Sequence, residues 1–345
     1  MKEQYIVTIG IPVYNSFDYI LDTMNSALAQ TFPDIEFLII DDCGDDGTID
    51  VISNIQMSHP RGKDIRIIEN DTNYGVSYCR NRIIDEAKGH FLYFMDSDDI
   101  IEPNTIQLLY DVIINNTAQI AYGSYEIIDR INDSPQQIYK KTPLVLSGED
   151  ELAMYAFKNN QIFHVSVCNH LIELSFLRQT GVRFMDLSYW EDMVYTTELV
   201  TKVEKAVLLP NITYHYLRRS GSLSHYQERE MLQKKEILNN IQTISYLKDM
   251  CRALINKPYL PYLCYNLEMN SFYMVCHILR HKHRISPKIS SIEMHNILLF
   301  PVGLKSVLCF RHKFLQNMFF WQISKMPSPI SISIVWLIGK YKKVI

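Results

Sequence analysis

The chain has 345 residues, 47% of them apolar, enough to bury a large core and build two or three domains. Twelve glycines and thirteen prolines exclude collagen-like or low-complexity character. The net charge of −4 hides a division, because residues 231–345 hold 16 Lys/Arg against 4 Asp/Glu, leaving 18 against 34 in residues 1–230.

An acidic front and a basic, aromatic rear point to two jobs and two partners. The N-terminus, MKEQYIVTIG, lacks the basic-then-apolar layout of a secretory signal. No run offers the 18 or so apolar residues of a spanning helix. Seven cysteines without a C-x-x-C pair read as reduced thiols, and the expected location is cytoplasmic.

In chain order, YIVTIGIPVY (5–14) predicts a buried strand and FDYILDTMNSALAQ (17–30) an amphipathic helix. IEFLIIDD (35–42) predicts a second strand, and TIDVISNIQ (48–56) a helix behind Gly47. IRIIEN (65–70) follows as a strand, then a helix over VSYCRNRIIDEA (76–87) closed by Gly89. HFLYFMD (90–96) is the fourth strand, PNTIQLLYDVIINN (103–116) a helix with Pro103 in its first turn, and QIAYGSYEI (119–127) a further strand. Near-continuous apolar strands alternating with helices make an α/β fold, a mostly parallel sheet covered on both faces. Residues 128–147 are polar and turn-rich, a loop or hairpin over the site. Residues 149–230 are mixed, and the remainder reads as helices. The expected divisions are 1–125, 126–230 and 231–345.

Ligands of such sheets bind beyond the C-terminal strand ends. There the sequence places Asp41 and Asp42 after the second strand, and Asp96, Asp98 and Asp99 after the fourth. Clustered carboxylates repel one another unless a cation joins them. Hard oxygens in one place suit Mg2+ or Mn2+ sharing its shell with substrate phosphates. Asp41 and Asp42 are placed to read a base or ribose, with Gly44 and Gly47 letting backbone approach a ligand. The absence of G-x-x-x-x-G-K-[ST] and G-x-G-x-x-G argues against P-loop and dinucleotide chemistry.

IPVYN (11–15), QTFPDIEFLIIDDCGDDGT (30–48), NYGVSYCRN (73–81), AKGHFLYFMDSDD (87–99) and WED (190–192) occur in order and at customary spacing. Together they resemble the family 2 glycosyltransferases with the GT-A fold, bacterial enzymes that build surface polysaccharides. The match covers about residues 5–225. It implies a GT-A type sheet flanked by helices, here with a C-terminal helical extension. Carried over by position, Pro12 and Tyr14 line the nucleotide, and Asp41 and Asp42 contact base or ribose. Asp98 and Asp99 carry the metal, Mn2+ or Mg2+, and Asp96 orients the ribose or assists the metal. Asp192 is the general base, with Glu191 in support. Arg218, Arg219 and Ser222 resemble a Y-x-x-R-x-x-S tail motif, in which a basic residue closes over the diphosphate.

Several residues keep two readings. Arg80, on a helix beside Asn81, contacts ligand or pairs with Asp85 or Asp42. Trp190 stacks on a sugar ring or packs in the core, and His215 touches the metal or is structural. Two departures stand out: Asp-Asp-Gly-Ser is interrupted by Cys43, and the usual Asn-Lys is Asn169-His170, leaving a weaker cation near the acceptor.

The resemblance implies an inverting, metal-dependent transferase that moves a sugar from a nucleotide-sugar donor, UDP-linked by preference. The acceptor is a saccharide or lipid-linked saccharide. The alternatives are a non-catalytic sugar-nucleotide-binding protein and a nucleotidyltransferase. For the rear, residues 259–343 mix apolar-aromatic faces with Lys, Arg and His. That composition favours peripheral contact with an anionic membrane surface, with a homodimer or inter-domain interface as the alternative and nucleic acid not expected.

Overall fold

A computed structural model describes residues 4–131, 136–159, 167–187, 190–219 and 231–345. It divides into two compact units, residues 1–152 with 165–222, and residues 153–164 with 223–345.

The elements run β1 (Tyr5–Val13), α1 (Phe17–Leu28), β2 (Ile35–Asp41), α2 (Thr48–Ser58), β3 (Ile65–Glu69), α3 (Val76–Glu86), β4 (Gly89–Phe94), β5 (Ile100–Ile101), α4 (Thr105–Asn116), β6 (Ile120–Asp129), β7 (Gln137–Tyr139), β8 (Leu144–Ser147), α5 (Glu151–Asn159), β9 (His170–Glu173), α6 (Leu174–Thr180), α7 (Glu191–Val200) and β10 (Lys205–Arg218). The alternation expected from 5 to 127 is what the chain builds.

The sheet of the first unit has the order β3-β2-β1-β4-β9-β6-β10-β5, with β7 on β6 and β8 on β10. Strands β3, β2, β1 and β4 are mutually parallel, so their C-terminal ends lie together. β9 runs antiparallel between β4 and β6, and β6 and β10 are again parallel. Every residue of β2 is buried, as the near-continuous apolar run in IEFLIID requires of a strand covered on both faces, and the buried Glu36 is met by Thr8 and Arg66. Each fully buried Ile or Leu there contributes roughly 1.5–3 kcal/mol by leaving water. Gly10 in β1 lets α3 pack close, since a Cβ at that position would sit 2.3 Å from Cγ2 of Ile83.

Two local differences from the sequence pattern have physical reasons. The helix expected at Pro103 starts at Thr105, while the Pro103 carbonyl accepts the Thr31 amide at 2.8 Å. The stretch 128–147 contains two short strands, and Tyr139 of β7 stacks on Tyr125 of β6 at 4.8 Å between ring centres.

The second unit contains β11 (Leu232–Gln233), α8 (Lys234–Met250), α9 (Leu260–Arg280), β12 (Ile285–Ser286), α10 (Ser291–Ile297), α11 (Leu304–Leu308), α12 (Phe314–Lys325) and α13 (Ser328–Tyr341). α9 is its centre: α8, α10, α12 and α13 all pack against it. α10 begins with a capping box, Ser290 Oγ accepting the Glu293 amide while the Glu293 carboxylate accepts the Ser290 amide. All seven cysteines are free thiols.

Candidate active site

Parallel strands deliver their acids to one end of the sheet. At the end of β1, Pro12 is buried opposite Ile40 and Tyr14 is exposed. At the end of β2, Asp41 and Asp42 are both buried but differ in what they can offer. The Asp42 carboxylate is saturated: it accepts Asn70 Nδ2 at 2.7 Å and the amides of Tyr74 and Gly75 at 2.9 and 2.7 Å. It therefore fixes the loop before α3, where Gly75 takes a left-handed φ of 90° that favours glycine. Asp41 is held more loosely, with the Gly44 amide 3.4 Å from Oδ1. Burial, with Glu69 and Asp42 nearby, raises its pKa against the opposing Gly44 and Cys43 amides.

Beyond β4 the three aspartates part ways. Asp96 gives Oδ1 to Arg80 at 2.9 Å and keeps 30% of its side chain exposed. Asp98 gives Oδ2 to Nε of Arg219 at 2.6 Å and keeps 20%. Asp99 turns inward, where the Tyr214 hydroxyl donates to Oδ2 at 2.6 Å and the Leu217 amide to Oδ1 at 2.8 Å. Burial, then Asp98 and Asp96, raise the proton affinity of Asp99 strongly. The metal role expected of Asp99 thus meets a carboxylate with both oxygens committed to β10. Asp96 and Asp98 fit a hard cation better, as closely spaced, partly exposed carboxylates with one oxygen each in an ion pair. Among the described residues no three His, Cys, Asp or Glu side chains form a metal cage, so such an ion would complete its shell with substrate oxygens and water.

Arg80 organises the centre. It is buried, and NH1 reaches Glu191 at 2.8 Å and Asp192 at 2.6 Å while NH2 reaches Asp96. Its guanidinium lies 5.5 Å from the Phe184 ring centre, and Phe184 stacks on Tyr195 of α7. Burial alone would lower the guanidinium's proton affinity, but Asp192, Asp96 and Glu191 outweigh it. Neither Asp85 nor Asp42 is its partner. Asn81 instead exchanges hydrogen bonds with both backbone groups of Phe184.

Trp190 stands before α7 with φ 63°, and Glu191 and Asp192 open the helix. That position suits carboxylates, because unpaired amides and the helix dipole favour negative charge. Burial nonetheless pushes the Asp192 pKa well up, with Glu191 and Asp96 adding to it and Arg80 pulling the other way. A partly exposed carboxylate with raised proton affinity is suited to accept a proton.

Arg219 stacks over Tyr19 with its guanidinium carbon 4.4 Å from the ring centre, while Arg218 pairs with Asp129 at 3.6 Å. Ser222 lies outside the described residues. His215 is held between Glu126 (2.6 Å) and Glu102 (2.8 Å), away from the metal role weighed for it. Asn169 donates to the carbonyls of Gly123 and Ser124. Burial depresses the pKa of His170 to about 3, with Lys141 contributing, so it supplies no cation. Sequence reading missed Tyr214, which holds Asp99 and also approaches the Asp96 amide at 3.3 Å. A tyrosine among strand aromatics carries no local signal for a partner more than 100 positions away.

Comparison with known proteins bears on the family and the fold. The family described as Glycosyl transferase family 2 matches residues 8–181, just over half of the chain. WfaP of Escherichia coli, a UDP-Glc:alpha-D-GlcNAc-diphosphoundecaprenol beta-1,3-glucosyltransferase, is 28% identical over 255 residues, covering 71% of this chain and 90% of WfaP. Among solved structures, Staphylococcus aureus TarS 1-349 in complex with UDP-GlcNAc aligns with a TM-score of 0.58 at 16% identity, over 90% of this chain and 92% of that one. The mannosyltransferase PcManGT of Pyrobaculum calidifontis, with GDP-Man and Mn2+, aligns at 0.51 and 13% identity, over 96% and 86%. The structural likenesses carry the fold, and the family match carries the membership: this chain belongs to glycosyl transferase family 2.

Proposed function

We propose that the protein is an inverting, metal-dependent transferase that moves a hexosyl or N-acetylhexosaminyl group from a UDP-sugar to a saccharide or lipid-linked saccharide acceptor of surface-polysaccharide synthesis. The observation that carries this reading is the single guanidinium of Arg80 joining Asp192 to Asp96. It ties a base on one helix to a donor-side acid beyond β4.

In this reading Pro12, Tyr14 and Asp41 line the nucleotide, while Asp42 acts through the loop it fixes. Asp192 accepts the proton of the acceptor hydroxyl as that oxygen attacks the anomeric carbon from the face opposite the leaving group. Attack from that side inverts the centre, and one base suffices, unlike the carboxylate pair of hydrolases. Glu191 and Arg80 hold Asp192 in place. Trp190, beside them, offers a ring face to the acceptor sugar. Arg219 is placed to exchange Asp98 for a donor phosphate, since guanidinium pairs with either anion. Asp98, with Asp96, would hold Mn2+ or Mg2+, which when bound neutralises charge on the departing diphosphate.

The GDP-Man and Mn2+ complex of PcManGT and the donor named for WfaP support metal and UDP respectively. The test supplies UDP-sugars with Mn2+ and follows UDP release. Turnover that disappears with Asp192→Asn while nucleotide binding persists supports the reading. Binding without turnover on any acceptor would leave a sugar-nucleotide-binding protein, and pyrophosphate release from a nucleoside triphosphate a nucleotidyltransferase.

A further inference from the structure

The second unit ends in a helix whose outward face is apolar. On α13 the residues Ser331, Ile332, Val335 and Gly339 are buried, and α9 and α10 pack against the helix. The other face carries Ile330, Trp336, Leu337 and Tyr341, all exposed, Leu337 by 59% and Tyr341 by 88%. A soluble helix ordinarily turns charge outward, so this orientation needs a partner. Lys340 lies 5.8 Å from the Trp336 ring centre, and Lys342 and Lys343 follow directly. α12 shows the same chemistry, with Leu315 and Phe319 exposed and Lys325 beside Trp321.

Charge decides which partner. Residues 294–345 contain seven Lys/Arg and no Asp or Glu. A second protein surface is ordinarily met with both signs of charge, which fix register and exclude wrong partners. An anionic bilayer presents one sign and no register. Nucleic acid also presents one sign, but exposed Ile, Leu and Trp gain nothing from phosphates. Among the described residues no helix is long and apolar enough to cross a membrane. α13, 14 residues long, is only about 21 Å in length.

We propose that the outer face of α13, with its basic tail, lies in the interfacial plane of an anionic lipid surface. Ile330 and Leu337 enter the acyl boundary, Trp336 and Tyr341 sit at headgroup depth, and Lys340, Lys342 and Lys343 meet lipid phosphates. This does not rest on the sugar-transfer reading, although a lipid-linked acceptor would be met on such a surface.

The full chain is mixed with vesicles of phosphatidylcholine alone, or with about one third phosphatidylglycerol, and floated on a density gradient. Flotation is expected with the anionic vesicles only, and to weaken as salt rises. Replacing Lys340, Lys342 and Lys343 together by Ser should weaken binding on the order of 100-fold. Trp336→Ser with Leu337→Ser should weaken it by at least about 10-fold. UDP release by both variants in vesicle-free solution should match the unaltered chain, which separates a failed surface from failed chemistry. A second measurement uses the unaltered fold: brominated lipid should quench tryptophan emission, and Trp336→Phe should remove most of that quenching. The proposal is overturned if anionic vesicles leave the chain at the bottom of the gradient, or if quenching is absent. It is also overturned if light scattering shows a dimer that both multiple variants dissociate, because the face would then belong to a second copy.

Discussion

In the first unit Arg80 is shared by Asp96, Glu191 and Asp192 at the end of the sheet. In the second, Lys248 pairs with Glu268 at 2.7 Å and donates to the carbonyls of Ile297 and Leu299 at 2.7 and 2.9 Å. Both cations are buried, yet their partners differ. The cluster around Lys248 joins α8, α9 and the end of α10, and its carboxylate, Glu268, is wholly enclosed. The carboxylates around Arg80 stay partly exposed, as a group must if it is to meet a ligand. In the reading proposed above, buried charge of the same kind serves as a staple in one unit and as machinery in the other.

The sharpest way to break that contrast is to neutralise one acid in each cluster. Asp192→Asn should reduce UDP release in the presence of acceptor by about 100- to 10,000-fold, the span expected for loss of a general base. Nucleotide affinity should hold, read by isothermal titration with UDP. Glu268→Gln should leave the rate unchanged. An Asp192→Asn enzyme that keeps its rate would show that the first cluster is a staple too.

Next in size is loss of the shared cation. Removing one partner of a buried pair costs roughly 3–5 kcal/mol, because the remaining charge is left uncompensated. Arg80→Met strands three carboxylates and should fall at the upper end of that range in denaturant unfolding. Arg80→Lys restores charge but not the fork that reaches both α7 and the residue after β4, so stability should return further than kcat does. Lys248→Met strands one carboxylate and should fall at the lower end. Adding Glu268→Leu to it should recover most of the loss, since an apolar pair of similar volume is close to neutral at a purely structural site. No comparable recovery of rate is expected on replacing Asp96, Glu191 and Asp192 together.

Much of the first unit was legible because its signals are local. The apolar runs at 37–40 and 91–95 specify strands covered on both faces, and the acids directly behind them are carried to one end by parallel pairing. What was not legible lies in pairings across the chain. Asp96, Asp98 and Asp99 look equivalent in FMDSDD, but Arg80, Arg219 and Tyr214 give each a different partner. Asp42 matched a nucleotide motif and fixes a loop; its three donors lie 28–33 positions away. His170 stood where the family often has Lys, and the tertiary fold seals it in. In the second unit the excess of Lys and Arg was plain in composition, but only the packing of α13 shows that Trp336 and Leu337 point outward.

The smallest effect sharpens the same contrast through pH. Among the described residues His170 is buried without a hydrogen-bond partner for either ring nitrogen, and burial holds its pKa at about 3, below the ordinary 6.5. Below pH 6.5 the unfolded chain therefore takes up a proton that the folded chain refuses. Stability contributed by neutral His170 is full above that pH and drains away as pH falls toward 3, at roughly 1.4 kcal/mol per pH unit. Glu268 behaves in the opposite sense: burial, opposed by Lys248, raises its pKa from 4.5 to about 7. Its contribution is full below pH 4.5 and lost as pH rises through 7, because the unfolded chain releases its proton first. Urea unfolding at a series of pH values should show His170→Phe flattening the acid side of the profile between 6.5 and 3. Glu268→Gln should remove the opposing fall between 4.5 and 7, so that stability there rises more steeply with pH than in the unaltered chain. If His170→Phe leaves the acid slope intact, the imidazole is protonated in the folded chain. It would then be the cation that the sequence placed there, and the first unit would hold a second ligand-facing charge.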